Sequence, residues 1–198
     1  MKVIRSLLTL SLALLLLVLA APSHAGAEGK KALLIVSKSD FEDVEYTKPR
    51  KAFDDAGLVC TVASTKTGTL KGRKGTRVQS DLELKDVVVA DYDAVVIIGG
   101  NGIKKLWQDE DAARIVREAA EQGKVLAAIC AGPGILAYAD VLNGKKATAN
   151  PKSGAKPIMV EHGCDYTGER VTVDGTLVTG NGPDASQAFG EAVVAALN

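Results

Sequence analysis

The sequence predicts an α/β protein, a three-layer α/β/α sandwich built on a mainly parallel sheet. Two observations carry this expectation. Short runs that are apolar throughout recur at Ala32–Val36, Ala94–Ile98 and Val125–Ile129, as strands covered on both faces require. Stretches with helical spacing of apolar residues alternate with those runs.

After a polar lead-in at Gly26–Lys30, Ala32–Val36 is the first strand. Asp43–Ala56 places Val44, Ala52, Phe53 and Ala56 near helical spacing, and Gly57 supplies a C-terminal stop. Leu58–Ala63 is a second strand, and Thr65–Gly75, rich in Gly, Thr and Lys, is a turn or hairpin. Ala94–Ile98 is the third strand, halted by Gly99-Gly100-Asn101-Gly102. Asp109–Gln122 is an amphipathic helix with Ala112, Ile115, Val116 and Ala119 on one stripe. Val125–Ile129 is the fourth strand and Gly132–Ala139 a short helix. Val171–Val173 and Leu177–Val178 flank Asp174-Gly175, a hairpin signal, and a last helix runs from about Asp184 to Leu197. No repeat or linker divides residues 26–198, which read as one domain.

The first 25 residues are of another kind. A basic head with Lys2 and Arg5 precedes the apolar run Ser6–Ala21, and Pro22-Ser23-His24-Ala25 offers small residues for cleavage. This is the pattern of a secretory signal peptide, so a periplasmic or secreted mature protein is expected, with no membrane attachment after cleavage. Lys plus Arg equal Asp plus Glu at 24 each, and losing Lys2 and Arg5 leaves a net charge of −2. With that balance and only 4% aromatic residues, nucleic-acid binding is not expected. Metal binding lacks ligands: there are two histidines, one of them in the leader, and no cysteine pair at ligand spacing. No cofactor motif stands out, since the glycines at 99–102 form neither G-x-G-x-x-G nor a Lys-Ser/Thr phosphate loop.

The chemistry, if there is any, centres on Cys130. An apolar strand stops at this residue and small residues and a helix start follow at once, the layout of a nucleophile elbow. Ala128 and Gly132, two before and two after, are small enough for the turn. N–H groups and the dipole of the following helix are expected to lower the thiol pKa. A structural cysteine at a strand end is the alternative. Glycine permits close backbone approach, so the Gly100 N–H is placed to complete an oxyanion site with the Ala131 N–H. Glu45 lies four residues before Pro49, which has no N–H for its carbonyl, and the resulting distortion favours an inward carboxyl. Cys60 and Cys164 are free to pair or not; the odd count leaves one thiol over. Lys66, Lys71, Arg73, Lys74 and Arg77 read as a solvated hairpin, Trp107 as a packing anchor and His162 as a surface imidazole.

Phe41–Glu45, the double glycine, Ala128-Ile129-Cys130-Ala131-Gly132-Pro133 and Thr179-Gly180-Asn181-Gly182-Pro183 together resemble the ThiJ/PfpI superfamily. The resemblance runs in order over Lys30–Leu197 and implies a flavodoxin-like, class I glutamine-amidotransferase-like fold and a homodimer or larger homo-oligomer. By the same resemblance Cys130 is the reactive cysteine, Glu45 the acid bonded to it, and Gly100 and Ala131 the backbone oxyanion donors. The sequence departs from the family's histidines. Ala131 stands where PfpI-type peptidases have histidine, Asn150-Pro151 where the deglycase-like branch has His-Pro, and His162 is followed by Gly163 and Cys164 rather than by a His-x-Glu pattern. Asn150 can orient a substrate or bond an oxyanion but cannot act as a base. Glu45 is then the one proton handler. The expectation is a cysteine-dependent hydrolase, hydratase or glyoxalase/deglycase-like enzyme acting on a small electrophile. The alternative is a redox-responsive or chaperone-like stress protein whose Cys130 meets an oxidant without turnover; a peptidase ranks last.

Overall fold

The three long apolar runs form the middle of a seven-stranded sheet, where both faces are covered. The computed structural model describes residues 26–198; the export segment read at residues 1–25 lies outside them. In chain order come β1 (Lys31–Ile35), β2 (Ser39–Phe41), α1 (Asp43–Asp55), β3 (Val59–Ser64), β4 (Gly68–Gly72), β5 (Arg77–Ser80) and β6 (Leu82–Glu83). They are followed by β7 (Ala94–Ile97), α2 (Glu110–Glu121), β8 (Val125–Ile129), α3 (Pro133–Tyr138), β9 (Lys146–Ala147) and α4 (Ala155–Glu161). The chain closes with β10 (Asp165–Tyr166), β11 (Val171–Asp174), β12 (Leu177–Gly180) and α5 (Ser186–Ala196).

The central sheet has the order β11-β12-β8-β7-β1-β3-β6. Every neighbouring pair is parallel except the β11–β12 hairpin. Side chains alternate across the sheet. Leu33 and Ile35 pack into one layer with α2 and α3, while Ala32, Leu34 and Val36 pack into the other with α1 and α5. α1 crosses α5 closely at Gly190, where a Cβ would lie 2.7 Å from Cα of Pro49. Only glycine fits there. Asp109 caps α2 by accepting the Ala112 N–H at 2.9 Å.

The two layers separate the cysteines. Cys60 packs against the α1/α5 layer and Cys164 lies in the opposite one, so they do not meet, and all three thiols are free. The lysine-rich hairpin is longer than its sequence suggests. β4 and β5 pair antiparallel, and β4 also pairs with β2, giving a second sheet of three strands. α4 is a further addition. Its Pro157 sits in the first turn, where the missing N–H costs nothing.

This topology brings the carboxyl ends of β8, β7 and β1 side by side. Ligands of open α/β sheets bind at that edge.

Candidate active site

Cys130 follows the last residue of β8 with φ +63°, a left-handed conformation that few non-glycine residues adopt. The surroundings hold it there. Its N–H donates to the Gly180 carbonyl at 2.8 Å, its carbonyl accepts the Asn150 N–H at 3.0 Å, and the Gly132 N–H returns to Ile129 at 2.8 Å. Gly132 has to be small: a Cβ would stand 3.0 Å from the Ile129 carbonyl oxygen. Backbone tension at a single fixed residue of this kind is of order 1–3 kcal/mol and concentrates at functional positions.

Glu45 reaches the same point from the first turn of α1, and no part of it is exposed to solvent. Gly99 is the hinge of the contact. A Cβ on Gly99 would strike Oε2 of Glu45 and would lie 2.6 Å from the Ile129 carbonyl and 2.7 Å from Cβ of Cys130. Gly99 also accepts the Glu42 N–H at 3.1 Å, which ties the start of α1 to the end of β7. The carboxyl sits within reach of the Cys130 sulfur, yet neither of its oxygens has an aligned hydrogen-bond donor.

The electrostatics follow from this burial. Desolvation pushes the Glu45 carboxyl from 4.5 up to about 8, against the lowering contact with Cys130 and with a smaller push from the Glu42 charge. The Cys130 thiol is pushed up to about 12 by burial, then by the charge and hydrogen bond of Glu45. The N–H groups of Gly100 and Ala131 act in the opposite direction by bonding the sulfur. A thiol lowered by the helix dipole, as the sequence suggested, is therefore not what forms. α3 has only six residues, and burial beside an acid outweighs its end charge. The two groups titrate as one pair. When the pair holds one proton, that proton is shared between the carboxyl and the sulfur, and the Gly100 and Ala131 N–H groups bonding the sulfur stabilise the reactive form with the charge on sulfur and the proton on Glu45.

The positions singled out in the sequence thus converge. Cys130, Glu45, Gly100, Ala131 and Asn150 all border one open pocket of about 210 Å³. Asn150 holds the elbow through its main chain. Its Oδ1 accepts the Lys152 N–H at 2.9 Å, and its Nδ2 lies against Gly182, where a Cβ would be 2.8 Å away. Nδ2 remains a donor, and Oδ1 keeps one further lone pair. Trp107 is an anchor with a definite partner: its Nε1–H donates to the Ala131 carbonyl at 2.8 Å, beside Gly134. His162 pairs with Asp140 at 2.7 Å beyond the far end of α3 and does not border the pocket.

Sequence reasoning missed the charged rim. Glu42, Arg73, Lys104 and Lys152 line the same pocket. Arg73 belongs to the hairpin read as solvated; its side chain is 52% exposed, as that reading expects, and it also borders the pocket. Lys66 pairs with half-buried Glu83 at 3.2 Å, while Arg73 and Lys74 turn to Glu42 at 3.4 and 3.8 Å. The buried Asp43 carboxylate positions the turn by accepting the N–H groups of Lys74 and Thr76, both at 2.8 Å. An acid two residues from Glu45 with no apolar role was the only signal in the chain.

Among the described residues no group of His, Cys, Asp and Glu is arranged to hold a metal ion, and no helix is long and apolar enough to cross a membrane.

The chain is similar to several known proteins. A deglycase of Pyrococcus abyssi is 36% identical over 151 residues, covering 76% of this chain and 90% of that protein. General stress protein 18 of Bacillus subtilis is 36% identical over 172 residues, covering 85% and 98%. The crystal structure of a ThiJ/PfpI domain protein from Brachyspira murdochii superposes with a TM-score of 0.83 at 32% identity, over 86% of this chain and 98% of that one. The profile of the DJ-1/PfpI family matches residues 30–196, nearly all of the described chain, and the protein belongs to that family.

Proposed function

We propose that the protein is a cysteine-dependent enzyme of the glyoxalase or deglycase kind, which adds Cys130 to a small carbonyl electrophile. One observation carries the proposal: a fully buried carboxyl whose oxygens lack any aligned donor lies against a sulfur that two backbone N–H groups serve. In the active protonation state Glu45 holds the proton and the sulfur the charge. The sulfur attacks the carbonyl carbon and an S–C bond forms. The π pair moves onto oxygen, which faces the Gly100 and Ala131 N–H groups, and Glu45 delivers its proton there. The product of this step is a hemithioacetal and a Glu45 carboxylate. That carboxylate then serves as the base for the next proton transfer. Deglycase relatives at 36% identity support the choice of electrophile.

Turnover of a small dicarbonyl such as methylglyoxal tests the proposal. Cys130→Ser is expected to abolish it, and Glu45→Gln to slow it roughly a hundredfold or more. Undiminished turnover in Cys130→Ser would end it.

A second reading rests on the lack of any histidine bordering the pocket. With Glu45 alone to move protons, Cys130 serves as a sensor whose sulfur is oxidised by peroxide. It is distinguished by selective oxidation of the Cys130 peptide, seen by mass spectrometry, without turnover of any dicarbonyl. On either reading we infer an exported, homo-oligomeric protein, which the mature N-terminus and the mass in solution test.

A further inference from the structure

Positive charge dominates the rim of the pocket above the sulfur. Arg73, Lys104 and Lys152 line it, against the acids Glu42 and Glu45. They arrive from three separate segments: the turn between β4 and β5, the 3-10 turn at Gly102–Leu106, and the loop after Asn150. A solvated run of basic residues would not converge in this way. Glu42 is already shared by Arg73 at 3.4 Å and Lys74 at 3.8 Å, so it does not neutralise Lys104 or Lys152. Lys104 is half-buried, with Nζ 5.9 Å from the Trp107 ring, and that ring is fixed by its bond to Ala131. The main chain of Lys152 is fixed by Asn150 Oδ1.

The pocket is also small. At about 210 Å³ it lies below the roughly 300–1,000 Å³ usual for ligand pockets, which suits a ligand of few heavy atoms. A ligand of that size whose reactive carbon meets Cys130 has its other end among these cations.

We infer that the substrate carries an anionic group, a carboxylate or phosphate, close to its electrophilic carbon, and that Arg73, Lys104 and Lys152 hold that group. The inference rests on the reading of Cys130 as a nucleophile, and it narrows the substrate class from small carbonyl compounds to charged ones. Arg73 is the cation suited to fork-like recognition of two oxygens; the lysines supply point charges.

The test uses two alkylating probes of nearly equal size, iodoacetate and iodoacetamide, each displacing iodide as the sulfur bonds to carbon. Rates are read on the Cys130 peptide by mass spectrometry, with all cysteines in place. Any change in the ionisation of the sulfur cancels in the ratio of the two rates. The iodoacetate-to-iodoacetamide ratio is expected to fall about threefold for each of Arg73→Ala and Lys152→Ala, the effect of one charge at roughly 6 Å in water, and to fall with added salt. A ratio unchanged in both variants and in the double variant overturns the inference. Turnover of glyoxylate and of neutral glyoxal separates the two layers of the reading. If glyoxal is consumed through Cys130 while the ratio ignores both cations, the enzyme stands and the anion site falls. If the ratio responds and neither compound is consumed, the pocket binds anions and the catalytic proposal falls.

Discussion

Glu45→Gln keeps the shape of the buried side chain and removes its titration, so it isolates what that proton does to the fold. The Glu45 pKa of about 8 replaces an ordinary 4.5, and the side chain is wholly buried. The folded protein keeps the proton through a range where the unfolded chain has already released it. Stability therefore falls as pH rises above 4.5 and levels off above the folded value. At 1.36 kcal/mol per pH unit the full loss is roughly 5 kcal/mol, most of it between about pH 5 and pH 8. That is a large part of the net stability of a domain this size. Glutamine carries no charge at any pH and has no such slope. Urea midpoints taken at about pH 5 and 8 at constant ionic strength should nearly coincide for Glu45→Gln, while the wild type loses several kcal/mol. The variant should then be the more stable protein at pH 8 although it is the poorer catalyst. Equal slopes in the two proteins would refute the buried, proton-holding carboxyl from which the mechanism starts.

Alkylation of Cys130 by iodoacetamide should rise with pH to about 8, flatten, and climb again towards 12, because the Glu45–Cys130 pair loses two protons in two steps; Glu45→Gln should lose the intermediate plateau. Burial pushes the Asp43 carboxyl up, but Thr76 and the Lys74 N–H more than offset this and leave it below its usual value. Its stabilising effect is thus present above pH 3.8 and lost as pH falls through the lower folded value. Asp43→Asn should weaken the acid limb of the unfolding curve and destabilise the protein by about 2 kcal/mol at neutral pH, measured by urea unfolding. Gly99→Ala would drive a methyl group into Glu45, Ile129 and Cys130, and should cost about 3 kcal/mol or more together with turnover.

The centre of the fold was legible because strands buried on both faces need apolar residues at every position. β1, β7 and β8 stand out for that reason alone, each within a residue or so of its expected bounds. The elbow at Cys130 and the glycines at 99 and 100 were legible because a tight turn and a close approach restrict residue size. The charged rim was not. Arg73 reaches the pocket only because Asp43, some thirty positions earlier, catches the Lys74 and Thr76 N–H groups, and contact across such a separation leaves no periodic trace. β5 lacks an apolar run, since only Val78 and Ser80 of its four residues are buried. The sulfur's ionisation was misjudged because local features, a helix start and two N–H groups, were weighed without the burial that only the assembled layers create.

The placement of the three thiols decides how an oxidised Cys130 is recovered. Cys60 lies at the amino edge of the sheet, level with Val125 through the register of β3, β1, β7 and β8. Five residues of strand rise and three strand spacings then separate it from Cys130, roughly 20 Å against the ~7 Å limit for a bridge. Cys164 belongs to the other helix layer. Neither can act as a resolving partner, so a sulfenate formed at Cys130 meets no second thiol of its own chain. Its return to the reduced state calls for a thiol from outside its own chain.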